Sequence, residues 1–88
     1  MLQYHAAYYR IEDGWFMAKV LDFPGVVTQG KDLEAARRML RDALREMALW
    51  DLEEGRLLPR PNPKARDRKA DVLEPIGLTV RVQSAVPS

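Results

Sequence analysis

The chain has 88 residues, with 14 basic and 13 acidic side chains and a net charge of +1. A chain of this length is read as one domain, 1–88, whose modest core buries about 60–65% of the surface exposed on unfolding. The charge balance argues against nucleic-acid binding by the whole surface, and the lack of cysteine excludes disulfides and thiolate metal sites. No apolar run approaches the roughly 20 residues of a membrane-spanning helix. The start, Met1-Leu2-Gln3-Tyr4-His5, has neither the charged nor the apolar region of a signal peptide. A cytoplasmic location is expected.

Leu2–Ile11 predicts a strand, with Tyr4, Ala6 and Tyr8 on one face and Ala7, Tyr9 and Ile11 on the other. Glu12-Asp13-Gly14 is a turn, Asp-Gly being a favoured hairpin pair. Trp15–Leu21 predicts a second strand, its faces carrying Phe16, Ala18 and Val20 against Trp15, Met17 and Leu21. Next, Pro24 presets φ for the first central position of a β-turn, and Gly25 supplies the positive φ of a type II turn at the second. Val26-Val27-Thr28 is a short β-branched strand that Gly30 ends, closing a meander over 1–30.

Asp32 is the expected N-cap of a helix over 32–54, about 33 Å long, and Gly55 suits the C′ position that stops it. At 100° per residue, Leu33, Ala36, Met39, Leu40, Ala43, Leu44, Met47 and Trp50 share one apolar arc, and Leu49 and Leu52 fall outside it. Residues 55–72 form a proline-rich and basic loop in which Arg56, Arg60, Lys64, Arg66, Arg68 and Lys69 outnumber Asp67 and Asp71. Such a stretch can touch phosphates, but it has no interleaved aromatics and no known nucleic-acid-binding signature, so it reads as a solvated loop. Ile76, Leu78, Val80 and Val82 alternate with other residues in a last half-buried strand over 73–83.

The predicted fold is α+β in the order β-β-β-α-β. An antiparallel three-strand meander carries one long helix on one face. A right-handed crossover brings the fourth strand in parallel to strand 1. The first two strands are apolar on both faces, while a single helix covers one. A second copy or a protein partner is the simplest cover for the other face, and the C-terminal segment is the alternative. Candidate partner-binding residues are Tyr9, Trp15 and Met17 on the sheet and Leu49 and Leu52 on the off-core side of the helix.

Chemistry is sparse. His5 is the sole histidine and reads as a surface or hydrogen-bonded residue, so no nucleophile has a catalytic set around it. Glu12, Asp13 and Asp22 lie at strand ends and are better explained as turn residues than as a metal site. No catalytic, metal-binding or cofactor-binding residue is assigned. A weak metal-dependent nuclease using these three carboxylates, or an RNA binder, is kept as an alternative.

The run Phe23-Pro24-Gly25-Val26-Val27-Thr28-Gln29-Gly30, then Leu33-Glu34-Ala35-Ala36, the long helix, Gly55 and Leu58-Pro59-Arg60-Pro61 resembles the HicB antitoxin family. The structural signature residues are Pro24, Gly25, Gly30, Asp32 and Gly55. Two departures stand out: Ala35 replaces the Glu of the family's capping box, and Asp22 replaces a proline two residues before the turn. The resemblance implies a partial ribonuclease H-like fold without the nuclease carboxylates. It also implies a non-enzymatic antitoxin that binds and blocks HicA, a small basic ribonuclease toxin, and self-associates as dimer or tetramer. An orphan oligomer with no active toxin is the rival. After Pro63 the sequence reads as loop plus strand, so no DNA-binding domain is expected and direct DNA binding is argued against.

Overall fold

The computed structural model describes residues 2–80. Its elements are β1 (Leu2–Arg10), β2 (Phe16–Val20), β3 (Val27–Gly30), α1 (Leu33–Glu53) and β4 (Val72–Leu78). The sheet order is β3-β2-β1-β4, and every pairing is antiparallel. Residues 81–83 of the expected last strand lie outside the described residues.

Both turns of the meander follow from local chemistry. Asp13 (φ 59°) and Gly14 (φ 79°) both take positive φ, as a type I′ hairpin turn requires, and Trp15 N–H closes it on the Glu12 carbonyl. Gly25 has φ 89° behind Pro24, and Val26 N–H donates to the Phe23 carbonyl, which makes a type II turn. A Cβ at Gly25 would meet only the Met47 Cε at 3.5 Å, so its backbone and not its surroundings demands glycine. Gly25→Ala is therefore expected to cost about 1–2 kcal/mol in urea denaturation.

The helix begins and ends on its own signals. The Asp32 carboxylate accepts from Ala35 N–H at 2.7 Å. At the other end Gly55 (φ 74°) sends its N–H to the Leu52 carbonyl, and Arg56 N–H bonds the Asp51 carbonyl, a Schellman closure. The buried stripe is Ala36, Leu40, Leu44 and Ala48, a row at i, i+4. It packs on Tyr4, Ala6, Tyr8, Phe16, Ala18, Val20, Ile76 and Leu78 from one sheet face, with Phe23 and Val26 closing the end. The Tyr4 and Phe23 rings meet edge to face at 5.3 Å.

This stripe corrects the arc read from the sequence. Met39 is 47% and Trp50 60% exposed, while Ala48 is fully buried. Both large residues lie about 80–100° around the helix from Leu40, at the margin of what one sheet face covers. Their hydrophobicity drew the arc toward them.

The fourth strand is the second correction. It runs antiparallel to β1, pairing Leu2 with Leu78 and Tyr8 with Val72, and not parallel as expected. The cause is the segment after the helix. A parallel strand would have to start at the β1 N-terminus, where α1 delivers the chain. Instead the chain first returns the whole length of β1. Tyr4 Oη donates to the Pro59 carbonyl at 2.7 Å, Asn62 N–H reaches Asp22, Tyr9 Oη reaches Asp67, and Asp71 N–H bonds the Tyr8 carbonyl. β4 therefore enters at the far end and runs back. Pro75 sits within it at the sheet edge, where a missing N–H is tolerated.

Candidate interaction surfaces

The second sheet face carries His5, Ala7 and Tyr9 from β1 and Met17 and Lys19 from β2, since Ala7 pairs with Lys19 and Tyr9 with Met17. Ala7 is fully buried although α1 lies on the opposite face. The returning segment is held over that face by two carboxylates. Asp22, its side chain 3% exposed, accepts from His5 N–H at 2.8 Å with one oxygen. The other oxygen takes the His5 Nδ1 at 2.8 Å and Asn62 N–H at 2.9 Å. Burial pushes the Asp22 carboxyl up, but the hydrogen bonds from the His5 ring, His5 N–H and Asn62 N–H outweigh it and hold it below the usual value. Asp67 accepts from Tyr9 Oη at 2.6 Å and from Lys69 N–H at 2.9 Å. The Tyr9 hydroxyl, and secondarily Lys69 N–H, lower the Asp67 carboxyl. Burial first, then this bond, raise the Tyr9 phenol.

The five candidate partner residues therefore separate. Tyr9 is spent inside the molecule, bonded to Asp67 with the Lys19 ammonium 5.3 Å from its ring centre. Met17 is half-buried, and Trp15 is 40% exposed. Trp15 lines an open cleft of about 480 Å³ with Ile11, Glu12 and Gln29. Leu49 and Leu52 are half-buried, and Leu49 lines a shallow recess with Arg45, Thr79 and Val80.

The sequence reading missed the opposite flank of α1. Met39, Asp42, Glu46, Trp50 and Glu53 are all exposed, and at 100° per residue they share one flank about 80° wide. Acids and apolar residues occupy it without a basic side chain. Arg37, on the other flank, is tied down by a bidentate pair with Glu74 of β4, at 3.0 and 2.9 Å, and by Glu34 at 2.6 Å. Those bonds, Glu74 first, raise the Arg37 guanidinium, and burial followed by Glu74 pushes the Tyr8 phenol up to about 12. Leu57, 93% exposed, follows the helix. Folding Met39 and Trp50 into the core arc hid this flank; the acids at 42, 46 and 53 were its visible signal.

The carboxylates of the nuclease alternative do not converge. Glu12 and Asp13 sit at the hairpin beyond β1, and Asp22 follows β2 at the other end of the sheet, buried against His5. Among the described residues no three His, Cys, Asp or Glu side chains are grouped to hold a metal ion. No helix there is long and apolar enough to cross a membrane.

A family model described as UPF0150-like matches residues 4–59, from β1 through the meander and helix to Pro59. The chain belongs to the UPF0150-like family. No curated protein matches the sequence significantly. Among solved structures, this UPF0150-like chain is similar to the N-terminal domain of the Burkholderia pseudomallei antitoxin HicB. The TM-score is 0.75 at 17% identity, over 90% of this chain and 100% of that one. A second structure of the Burkholderia pseudomallei antitoxin HicB matches with a TM-score of 0.70 at 17% identity, over 99% of this chain and 76% of that one. At this identity the likeness is one of fold, and the fold agrees with the resemblance carried by the Pro-Gly turn and the capped helix.

Proposed function

We propose that this UPF0150-like chain is a non-enzymatic antitoxin that binds a HicA-type ribonuclease toxin and blocks it by protein–protein contact. The observation that carries the reading is the match to the whole N-terminal domain of an antitoxin, HicB. The α1 flank of Met39, Asp42, Glu46, Trp50 and Glu53 supports it, because an apolar pair set among acids suits a basic partner. The half-buried Leu49 and Leu52 are weaker candidates than this flank, and Trp15 and Met17 belong to the opposite side of the sheet.

The test mixes the protein with the HicA-type ribonuclease encoded beside it. A stable complex and loss of RNA cleavage are expected. Trp50→Ala is expected to weaken the complex about 30-fold, the effect of an interface tryptophan worth about 2 kcal/mol. Glu46→Lys with Glu53→Lys is expected to slow association, more so at low salt. Unchanged cleavage and no complex would sink the reading and favour an orphan oligomer.

A further inference from the structure

The charge of this chain is divided between two regions. Residues 56–71 hold six basic and two acidic side chains, a balance of +4, and the rest of the sequence holds eight basic and eleven acidic, a balance of −3. Both acids in the segment are already engaged. Asp67 is bonded to Tyr9 Oη and Lys69 N–H and stands 4.0 Å from Lys19, and Asp71 accepts from Arg10 N–H. Arg60, Lys64, Arg66, Arg68 and Lys69 are exposed. Among the described residues, none of these five forms a salt bridge.

The fold sets these cations in a row. The segment contains two turns built alike, Asn62-Pro63-Lys64-Ala65 and Asp67-Arg68-Lys69-Ala70. In each, the leading Asn or Asp side chain accepts the lysine N–H at 2.9 Å, and its carbonyl accepts the alanine N–H, at 2.9 and 3.1 Å. Each alanine is half-buried and each lysine is exposed. The first turn is anchored beside His5 through Asp22, and the second at Tyr9 through Asp67. Those anchors lie four positions apart on β1, about 13 Å along the strand, with Arg66 between the turns. The cations thus follow the strand direction and do not converge on a point, which suits a linear polyanion better than a single phosphate. One row addresses one strand. Trp15 stands on this same sheet face by alternation with Met17, and it shares a cleft with Gln29, which pairs with Met17. It offers an open aromatic surface beyond the Tyr9 end of the row.

We propose that this face binds a single-stranded nucleic acid, with Arg60, Lys64, Arg66, Arg68 and Lys69 along its phosphates and Trp15 stacked on a base. A charged row with a stacking aromatic is the general recipe for holding a single strand. The site is distinct from the acidic flank of α1 and does not depend on toxin binding.

The test uses the full chain without toxin and a labelled oligouridylate, followed by fluorescence anisotropy across a salt series. Saturable binding is expected, with log K falling by about 0.7 per contacted phosphate for each tenfold rise in salt. Lys64→Gln/Arg66→Gln/Lys69→Gln is expected to lower affinity at least about 10-fold at low salt and to reduce the slope by about 2. All three changes are on exposed side chains, and circular dichroism checks the fold. In a Trp50→Phe background, Trp15 fluorescence is expected to be quenched on binding. Oligodeoxythymidylate run in parallel should bind through the same residues with the same quenching. No saturable binding, a slope untouched by the triple variant, or unchanged Trp15 fluorescence would overturn the proposal. So would equal affinity and quenching with polyglutamate, which would make the row a protein-docking surface. Toxin neutralisation by the triple variant is expected to match the wild type, so failure of either reading leaves the other standing.

Discussion

Gly30→Ala is expected to be the most destabilising single methyl addition in the protein, lowering the Tm by about 15–30 °C. A Cβ at Gly30 would lie 2.4 Å from the Ala36 backbone nitrogen and 2.8 Å from the Ala35 carbonyl carbon. Those atoms belong to the first turn of α1, which the Asp32 cap locks through Ala35 N–H and the Ala36 N–H bond to the Asp32 carbonyl. No rotamer change relieves a clash with backbone, so the helix must lift off β3. Lifting it pulls Ala36 and Leu40 from the core they fill. Overpacking a tight site costs about 1–3 kcal/mol and more where the backbone must move, so about 4 kcal/mol is expected here. At about 4–8 °C per kcal/mol for a domain of this size, the Tm should fall by about 15–30 °C. Gly25→Ala, whose Cβ would meet only the Met47 Cε at an ordinary contact distance, should cost at most about half as much. Equal small losses for the two variants would show that the helix start is not held tightly against β3.

Gly30 also marks where sequence reading reaches its limit. The glycine was legible as an ending, because it stands between a β-branched run and a capped helix. Its reason was not, because close approach between a strand and a helix sixteen or so atoms away along the chain leaves no local trace. The same division runs through the fold. The two turns, the N-cap at Asp32 and the stop at Gly55 are local, and chemistry within four residues fixes each of them. The direction of β4 is not local. It depends on Tyr4, Tyr9 and Asp22 catching Pro59, Asp67 and Asn62 of the returning segment, across forty to fifty-eight positions. A period-2 pattern at Ile76 and Leu78 says that a strand is half-buried and leaves both directions open.

Those contacts also answer part of the question raised by two apolar sheet faces. The returning segment lies over β1, burying Ala7 and engaging Tyr9, so the second face is covered there by the chain itself. Trp15 and Val27 stay open on the β2–β3 side, as Met39 and Trp50 do on the helix flank. The candidate site was therefore legible as residue types and not as a surface. Helical phase placed Met39 and Trp50 inside although both are exposed, and tertiary coverage takes Tyr9, read as open, into its bond with Asp67. The six cations of the basic segment were plain in the sequence, but the alignment of the five beyond Arg56 depends on the Asp22 and Asp67 anchors. The result is a small molecule with an acidic, apolar helix flank on one side and a cationic row on the other.

Asp22→Ala is expected to release that row and to cost about 3 kcal/mol. The substitution leaves His5 N–H and Asn62 N–H without their acceptor, and hydrogen bonds to a buried charged group contribute about 1.5–3 kcal/mol each. Solvent reaching the vacated site limits the loss below their sum. Asp22→Asn separates charge from shape, since it keeps an acceptor oxygen but turns an amide N–H₂ toward donors. The pH dependence has a definite sign. The folded carboxyl titrates below its unfolded value, so the folded state binds fewer protons there. Its contribution is complete above about pH 4, the ordinary carboxylate value, and is lost as pH falls through the folded value. The Tm gap between wild type and Asp22→Asn should therefore narrow as pH falls below about pH 4. A gap that stayed level down to pH 2 would show that Asp22 acts through shape alone. Limited proteolysis supplies the structural counterpart. In Asp22→Ala, trypsin should cut first at Lys64, the cleavable basic residue nearest Asn62, whose backbone N–H Asp22 holds in the wild type; Arg60 precedes Pro61 and resists trypsin. Cleavage beginning instead at Arg68 or Lys69 would place the weak point at the Asp67 anchor, which this substitution leaves intact.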